Sequence, residues 1–303
     1  MLQQRLASKL AIATLLLLAS LFAAEDQSAI SQFDSLIEAR KYAEVTGPLQ
    51  TYIAAHPDSW RALYQLGYVD FRLHYIHRSL VLLSKSLALN GNFADSHKIL
   101  AYDLNILGRQ DLAIRELTAA IRLDPTSAES HYELGRIYYE RGDYLQSVHE
   151  LERSKALDPA SVKVYHNLGL AYSAIGQNAK AVASFEEGLV LNAKQKNPSA
   201  WPLIDYGTYY NLQSDYANAK NMLLKAIAID ASWDREWDEL SKANRGLGER
   251  NEAIESLKKA IAINPGKPEY HYALARLFTQ AGEHQEAKKE LAKYEQEKNH
   301  PQP

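Results

Sequence analysis

Ten side chains of this 303-residue chain share one helical phase and could do recognition chemistry. Six are aromatic: Tyr64, Tyr68, Phe71, Tyr102, Tyr132 and Tyr139. Four are basic: Arg235, Lys242, Arg245 and Arg276. Tyrosine offers apolar ring area and a hydroxyl with few rotors to freeze, which suits a binding surface. Guanidinium and ammonium groups receive carboxylates. Each set has a plainer use: the rings would also fill gaps between helices, and Asp238 and Glu269 interleave with the cations as on a solvated face. Catalytic chemistry has no comparable set. His74 and His77 are the closest histidine pair, and no third ligand stands at helical spacing from them, whereas a metal needs three or four. The phosphate-loop, H-E-x-x-H, G-x-S-x-G and G-x-G-x-x-G motifs are missing. The reading is of a non-enzymatic chain that needs no cofactor and no metal. With no cysteine there is no disulfide or thiolate chemistry. A net charge of −3 argues against a phosphate-neutralising nucleic-acid surface.

The elements that must hold these side chains follow from a repeat. Pro57, Gly91, Pro125, Pro159 and Ala193 keep a step of 34 residues, and Ala231 and Pro265 resume it after the extra Lys196-Asn197-Pro198-Ser199. With that residue counted as position 32, units begin at Asp26, Trp60, Ala94, Ala128, Val162, Ala200, Asp234 and Pro268. Position 24 is apolar in all eight, as Leu49, Leu83, Leu117, Leu151, Phe185, Leu223, Leu257 and Leu291. Position 8 is mostly Gly or Ala, and position 15 is glycine in Gly108, Gly142, Gly176, Gly248 and Gly282. Positions 4, 7, 8 and 11 share one face of a first helix, and 20, 24 and 27 one face of a second. Glycine at 15 suits a left-handed helix end, and proline at 32 stops the second helix. Each hairpin leaves an apolar face uncovered, so the units must stack. The ten recognition residues, at positions 2, 5, 9 and 12, point away from that packing face.

These residues resemble the tetratricopeptide repeat family, best at Tyr165, Leu168, Gly169, Tyr172, Ala181 and Phe185, and the resemblance runs from residue 26 to about 300. It implies an all-α fold, a right-handed α-solenoid of about eight tetratricopeptide-type helical hairpins. It places the recognition stripe on a concave surface that takes a protein or an extended peptide, with aromatics toward one end and cations toward the other. Two specialised members do not carry over. Of the chaperone-binding carboxylate clamp only Lys98 is present, since Tyr102 and Glu133 stand where asparagines are needed; of an asparagine ladder only Asn167 is present. Gly47-Pro48 predicts a shortened second helix in the first unit, which would serve as an N-terminal cap. Asp70, Ser79 and Ser86 at packing positions predict a looser second unit.

Residues 1–24 read as a signal peptide, with Arg5 and Lys9 before an uncharged run that ends at Ala23-Ala24. Leu10 to Ala24, at about 1.5 Å per residue, reach about 22 Å, short of a hydrocarbon core of about 30 Å. The expectation is a periplasmic or secreted chain, with membrane contact only if the segment stays uncleaved. The expected organisation is 1–24 signal peptide, 26–195 units one to five, 196–199 insertion and 200–301 units six to eight. The function read from all this is an envelope scaffold that binds a partner segment. The alternatives are a membrane-anchored structural protein and a binder of cell-wall glycan through the tyrosines.

Overall fold

The computed structural model describes residues 27–299. The expected signal segment lies outside them. All regular structure among the described residues is α-helical. The helices are α1 (27–38), α2 (Tyr42–Ala55), α3 (Trp60–Arg72), α4 (Ile76–Leu89), α5 (Ala94–Ile106), α6 (Gln110–Leu123), α7 (Ala128–Arg141) and α8 (Tyr144–Leu157). They continue with α9 (Val162–Ala174), α10 (Asn178–Ala193), α11 (Trp201–Leu212), α12 (Tyr216–Ile229), α13 (Asp234–Gly246), α14 (Arg250–Ile263), α15 (Pro268–Ala281) and α16 (His284–Asn299). The chain divides into two compact units, Met1–Ile137 and Tyr138–Pro303, so the boundary falls inside α7. No helix among the described residues is long and apolar enough to cross a membrane.

One turn is used eight times. The residues at position 15 are Arg40, His74, Gly108, Gly142, Gly176, Ser214, Gly248 and Gly282, and all have positive φ, from 57° to 85°. After each, the next residue's N–H bonds to the carbonyl five residues back, as in Tyr75 to Asp70 (2.8 Å) and Glu283 to Phe278 (2.9 Å). This bond satisfies carbonyls that a helix end would otherwise leave open. Glycine adopts the conformation freely, whereas Arg40, His74 and Ser214 each carry a strain of about 1 kcal/mol. The other end of the hairpin is also built locally. Asp124 Oδ1 accepts from Thr126 N (3.0 Å), Asp158 Oδ1 from Ala160 N (3.1 Å) and Asp230 Oδ1 from Ser232 N (3.0 Å). These are Asx turns, and they explain why an aspartate precedes the helix-stopping residue.

In the first unit the core is Ile30, Phe33, Val45, Leu49, Ala62, Leu66 and Val69, followed by Gly67 against Leu83. The expected shortening of the second helix does not occur. α2 runs for 14 residues straight through Pro48. Gly47 and Pro48 lie on its exposed side, while Val45 and Leu49 are fully buried on either side of the break. Each such burial stabilises by about 1.5–3 kcal/mol, enough to offset an interior proline costing about 3 kcal/mol.

In the second unit Ile204, Ala219, Leu223, Leu240 and Ala243 form one cluster, and Ala253, Leu257, Tyr270, Leu274 and Phe278 another. Lys196–Ser199 lie in the loop between α10 and α11. Asn192, almost fully buried, pins that loop by donating Nδ2 to Ser199 O (2.8 Å) and accepting from Ser199 N (3.0 Å).

Candidate partner-binding cleft

In the first unit α1, α3 and α5 bound a cleft of about 630 Å³. Tyr64, Tyr68 and Phe71 enter it from one face of α3, as positions 5, 9 and 12 must, and Tyr102 and Lys98 enter from α5. The Phe71 and Tyr102 rings lie 5.8 Å apart, centroid to centroid. Tyr64 is braced edge-on by Phe93 at 4.8 Å. Arg72 donates to the Tyr68 hydroxyl (2.8 Å) and lies over the rings of Tyr68 (5.7 Å) and Tyr42 (5.3 Å). That hydrogen bond holds its guanidinium above its usual range. Gln65, buried, donates Nε2 to Ile30 O (3.1 Å) and to Asp34 Oδ1 (2.6 Å), while Arg61 bonds Asp34 Oδ2 (3.0 Å). Burial pushes the Tyr64 and Tyr102 phenols above their usual range, so both stay neutral. The result is an aromatic trough with neutral hydroxyls, at whose rim Asp34 is paired with Arg61 and Lys98 with Asp95. It can bury apolar side chains.

Four of the ten sequence-predicted residues thus meet: Tyr64, Tyr68, Phe71 and Tyr102. Tyr132, also in the first unit, is buried in α7 at 8% exposure. Tyr139 belongs to the second unit, 5.4 Å from Tyr144, and burial raises its phenol. Arg235 is committed within the second unit, reaching Asp205 Oδ1 (2.5 Å) and lying over Trp201 (5.8 Å). Asp205, 4% exposed, also takes His166 Nε2 at 2.7 Å. Burial would raise its carboxyl, but His166 and Arg235 together hold it below the usual range. Lys242 reaches Asp238 (2.9 Å) and Glu239 (2.7 Å), which raise its ammonium against the lowering effect of burial. Arg245 and Arg276 are exposed and form no ion pair among the described residues.

Sequence reasoning missed Tyr42, Gln65 and Arg72 in the cleft. Tyr42 comes from a second helix, whose phase carries no groove signal. The His166–Asp205–Arg235 group could have been found: those residues hold positions 5, 6 and 2 of three successive units with complementary charge. His74 and His77 are exposed. Among the described residues no group of three or more His, Cys, Asp or Glu is placed to hold a metal ion.

Tetratricopeptide repeat models match residues 101–139, 135–176, 162–195 and 245–302. No curated protein sequence matches the chain. Among solved structures, a tetratricopeptide repeat protein from Parabacteroides merdae aligns over 84% of this chain and 98% of its own, at 14% identity and a TM-score of 0.66. The APC/C hetero-tetramer Cut9–Hcn1 aligns over 81% of this chain at 20% identity and a TM-score of 0.68, and this chain spans about half (48%) of that one. PilW, described as a widely conserved type IV pilus biogenesis factor, aligns over 66% of this chain and 90% of its own, at 16% identity and a TM-score of 0.60. At these identities the likeness is one of fold alone. With helical hairpins repeating in phase and family models matching along much of its length, the chain belongs to the tetratricopeptide repeat family.

Proposed function

We propose that this protein is an exported, non-enzymatic scaffold of the cell envelope, and that an extended segment of a protein partner anchors in the cleft of its first unit. The observation that carries this is the convergence of Tyr64, Tyr68, Phe71 and Tyr102 on one trough of about 630 Å³. A hairpin core needs apolar residues at the packing positions. It does not need four rings on the opposite face, and such a cluster on a repeat surface favours a ligand. The envelope setting is supported by the signal-like residues 1–24 and by the fold likeness to a pilus biogenesis factor. Among the second unit's cations, Arg245 and Arg276 remain open to a partner's carboxylates, whereas Arg235 and Lys242 would first have to leave acids of their own chain.

The test is paired affinity capture from a native envelope fraction. One bait is the mature chain. The other carries Tyr68→Ala and Phe71→Ala, with circular dichroism showing that helix content is kept. A captured partner should bind the second bait at least about thirtyfold more weakly, as loss of about 2 kcal/mol of central aromatic contact implies. Equal capture by both baits would move the binding site off the cleft. Capture of no protein, with co-sedimentation on cell-wall polymer, would replace the partner segment with a glycan.

A further inference from the structure

Two carboxylates are buried in the first unit where the repeat calls for apolar or neutral side chains. Asp70 stands at position 11 of α3 and Asp103 at position 10 of α5, and both are 0% exposed. α3, α4 and α5 pack on one another around them. The polar and charged groups acting on the pair are few. From α4, the Arg78 guanidinium reaches Asp70 Oδ1 at 3.1 Å, but its own side chain is 51% exposed, so water screens it. Also from α4, the buried Ser79 hydroxyl approaches Asp103 closely enough to lower it, although no hydrogen bond of ordinary geometry joins them. From α3 and α5 there are only the two aspartates, and the Asp70 charge raises Asp103 further. The oxygens of Asp103 make no ion pair among the described residues.

Two ionised carboxyls in such a layer lose their hydration and repel each other, and a single proton relieves both costs. The arrangement therefore takes up a proton more readily when folded than when unfolded. Burial, reinforced by Asp70, pushes Asp103 up to about 6, and burial raises Asp70 as well.

The aspartates adjoin two cleft residues in the chain. Asp70 directly precedes Phe71, and Asp103 directly follows Tyr102. Those two rings are in contact and line the trough. We infer that Asp70 and Asp103 form a proton-operated lock between α3 and α5: a proton on Asp103 holds the seam, and its loss leaves a second buried carboxylate that loosens the Phe71–Tyr102 wall. The sense is opposite to ordinary acid denaturation, because the seam tightens as pH falls from about 8 to about 5. A consequence for partner binding rests on the cleft being the binding site. The lock itself does not, and the readouts below need no partner.

Hydrogen exchange on the full mature chain, corrected for intrinsic rates, reads the lock in peptides covering α3 and α5. Wild-type protection there should rise about fourfold from pH 8 to pH 5.5, the part of the linkage that a carboxyl moved from 3.8 to about 6 has collected by that pH. Asp103→Asn, a neutral isostere, should give the tighter value at both pH values. Protection independent of pH in the wild type, or lower protection in Asp103→Asn than in wild type at pH 8, would overturn the inference. The second measurement uses wild-type protein alone: a carbon-13 titration of the aspartate side chains. One carboxyl of the pair should titrate near pH 6; both titrating in the ordinary carboxylate range would sink the lock.

Discussion

Position 8 of the repeat sets how closely the two helices of a hairpin approach, and a single added methyl group there should separate two kinds of hairpin. A Cβ built on Gly169 would stand 2.5 Å and 2.6 Å from ring atoms of Phe185. On Gly67 it would stand 2.9 Å from Leu83 Cγ, and on Gly207 2.7 Å from Leu223 Cγ. Leucine can rotate away, and the α5–α6 hairpin shows that the pairing is tolerable, since Ala101 and Leu117 hold the same two positions there and are both fully buried. Phe185 cannot rotate away. Its ring is held against Tyr206 (5.0 Å) and Tyr209 (5.4 Å). Overpacking of a rigid core costs about 1–3 kcal/mol, and alanine gains about 1 kcal/mol over glycine in a helix interior. Gly169→Ala should therefore lose up to about 2 kcal/mol, while Gly67→Ala and Gly207→Ala come out near neutral. Urea unfolding followed by far-ultraviolet circular dichroism reads all three. Phe185→Leu removes the ring that clashes, so in a double-mutant cycle it should return at least about 1 kcal/mol to Gly169→Ala. A Gly169→Ala cost no larger than that of Gly67→Ala, or a cycle without coupling, would refute ring contact as the cause.

Three further outcomes follow. Glu236 is fully buried on α13, and burial, reinforced by Asp230, pushes it up to about 7. Its cost to stability is absent below about pH 4.5 and grows until about pH 7, so Glu236→Gln should add about 1–3 kcal/mol at pH 8, add little at pH 4, and flatten the unfolding-versus-pH curve between them. Asp205 has the opposite sign: its pairs with His166 and Arg235 stabilise above the usual carboxylate range and are lost as pH falls through its lowered value. Asp205→Asn should therefore cost about 2–4 kcal/mol in urea unfolding at neutral pH and much less near pH 3. His74→Gly and Ser214→Gly should each stabilise by about 0.5–1 kcal/mol in thermal unfolding, because both residues hold a left-handed turn that glycine holds without strain, while Gly108→Ala should destabilise by about 1 kcal/mol.

The hairpins were legible because their signals are local. A glycine at position 15 and an aspartate ahead of position 32 act within six residues of themselves, and a fixed step carries the turn even to Arg40, His74 and Ser214, which no composition rule would select. Pro48 misled for the same reason. Its local penalty is real, but the depth to which Val45 and Leu49 are buried is settled by α1 and α3, outside any local window. The cleft was half legible. Helical phase put Tyr64, Tyr68, Phe71 and Tyr102 on one face, and phase also put Tyr132 there, yet Tyr132 is buried. Position 5 lies at the flank between the open face and the neighbouring first helix, and the packing of that helix decides whether a ring stays open. The charges were legible only across hairpins: the partner of Arg235 is Asp205, 30 residues away, and a reading of one hairpin at a time misses it. That pairing changes what the basic residues can do. A partner's carboxylate has to displace Asp205 or Glu239 before it gains anything from Arg235 or Lys242, so exchange of one acid for another is close to neutral in free energy. The aromatic cleft has no such competitor for its apolar area. Affinity should therefore reside in the first unit, while the paired cations of the second unit discriminate among partners by the acids they bring.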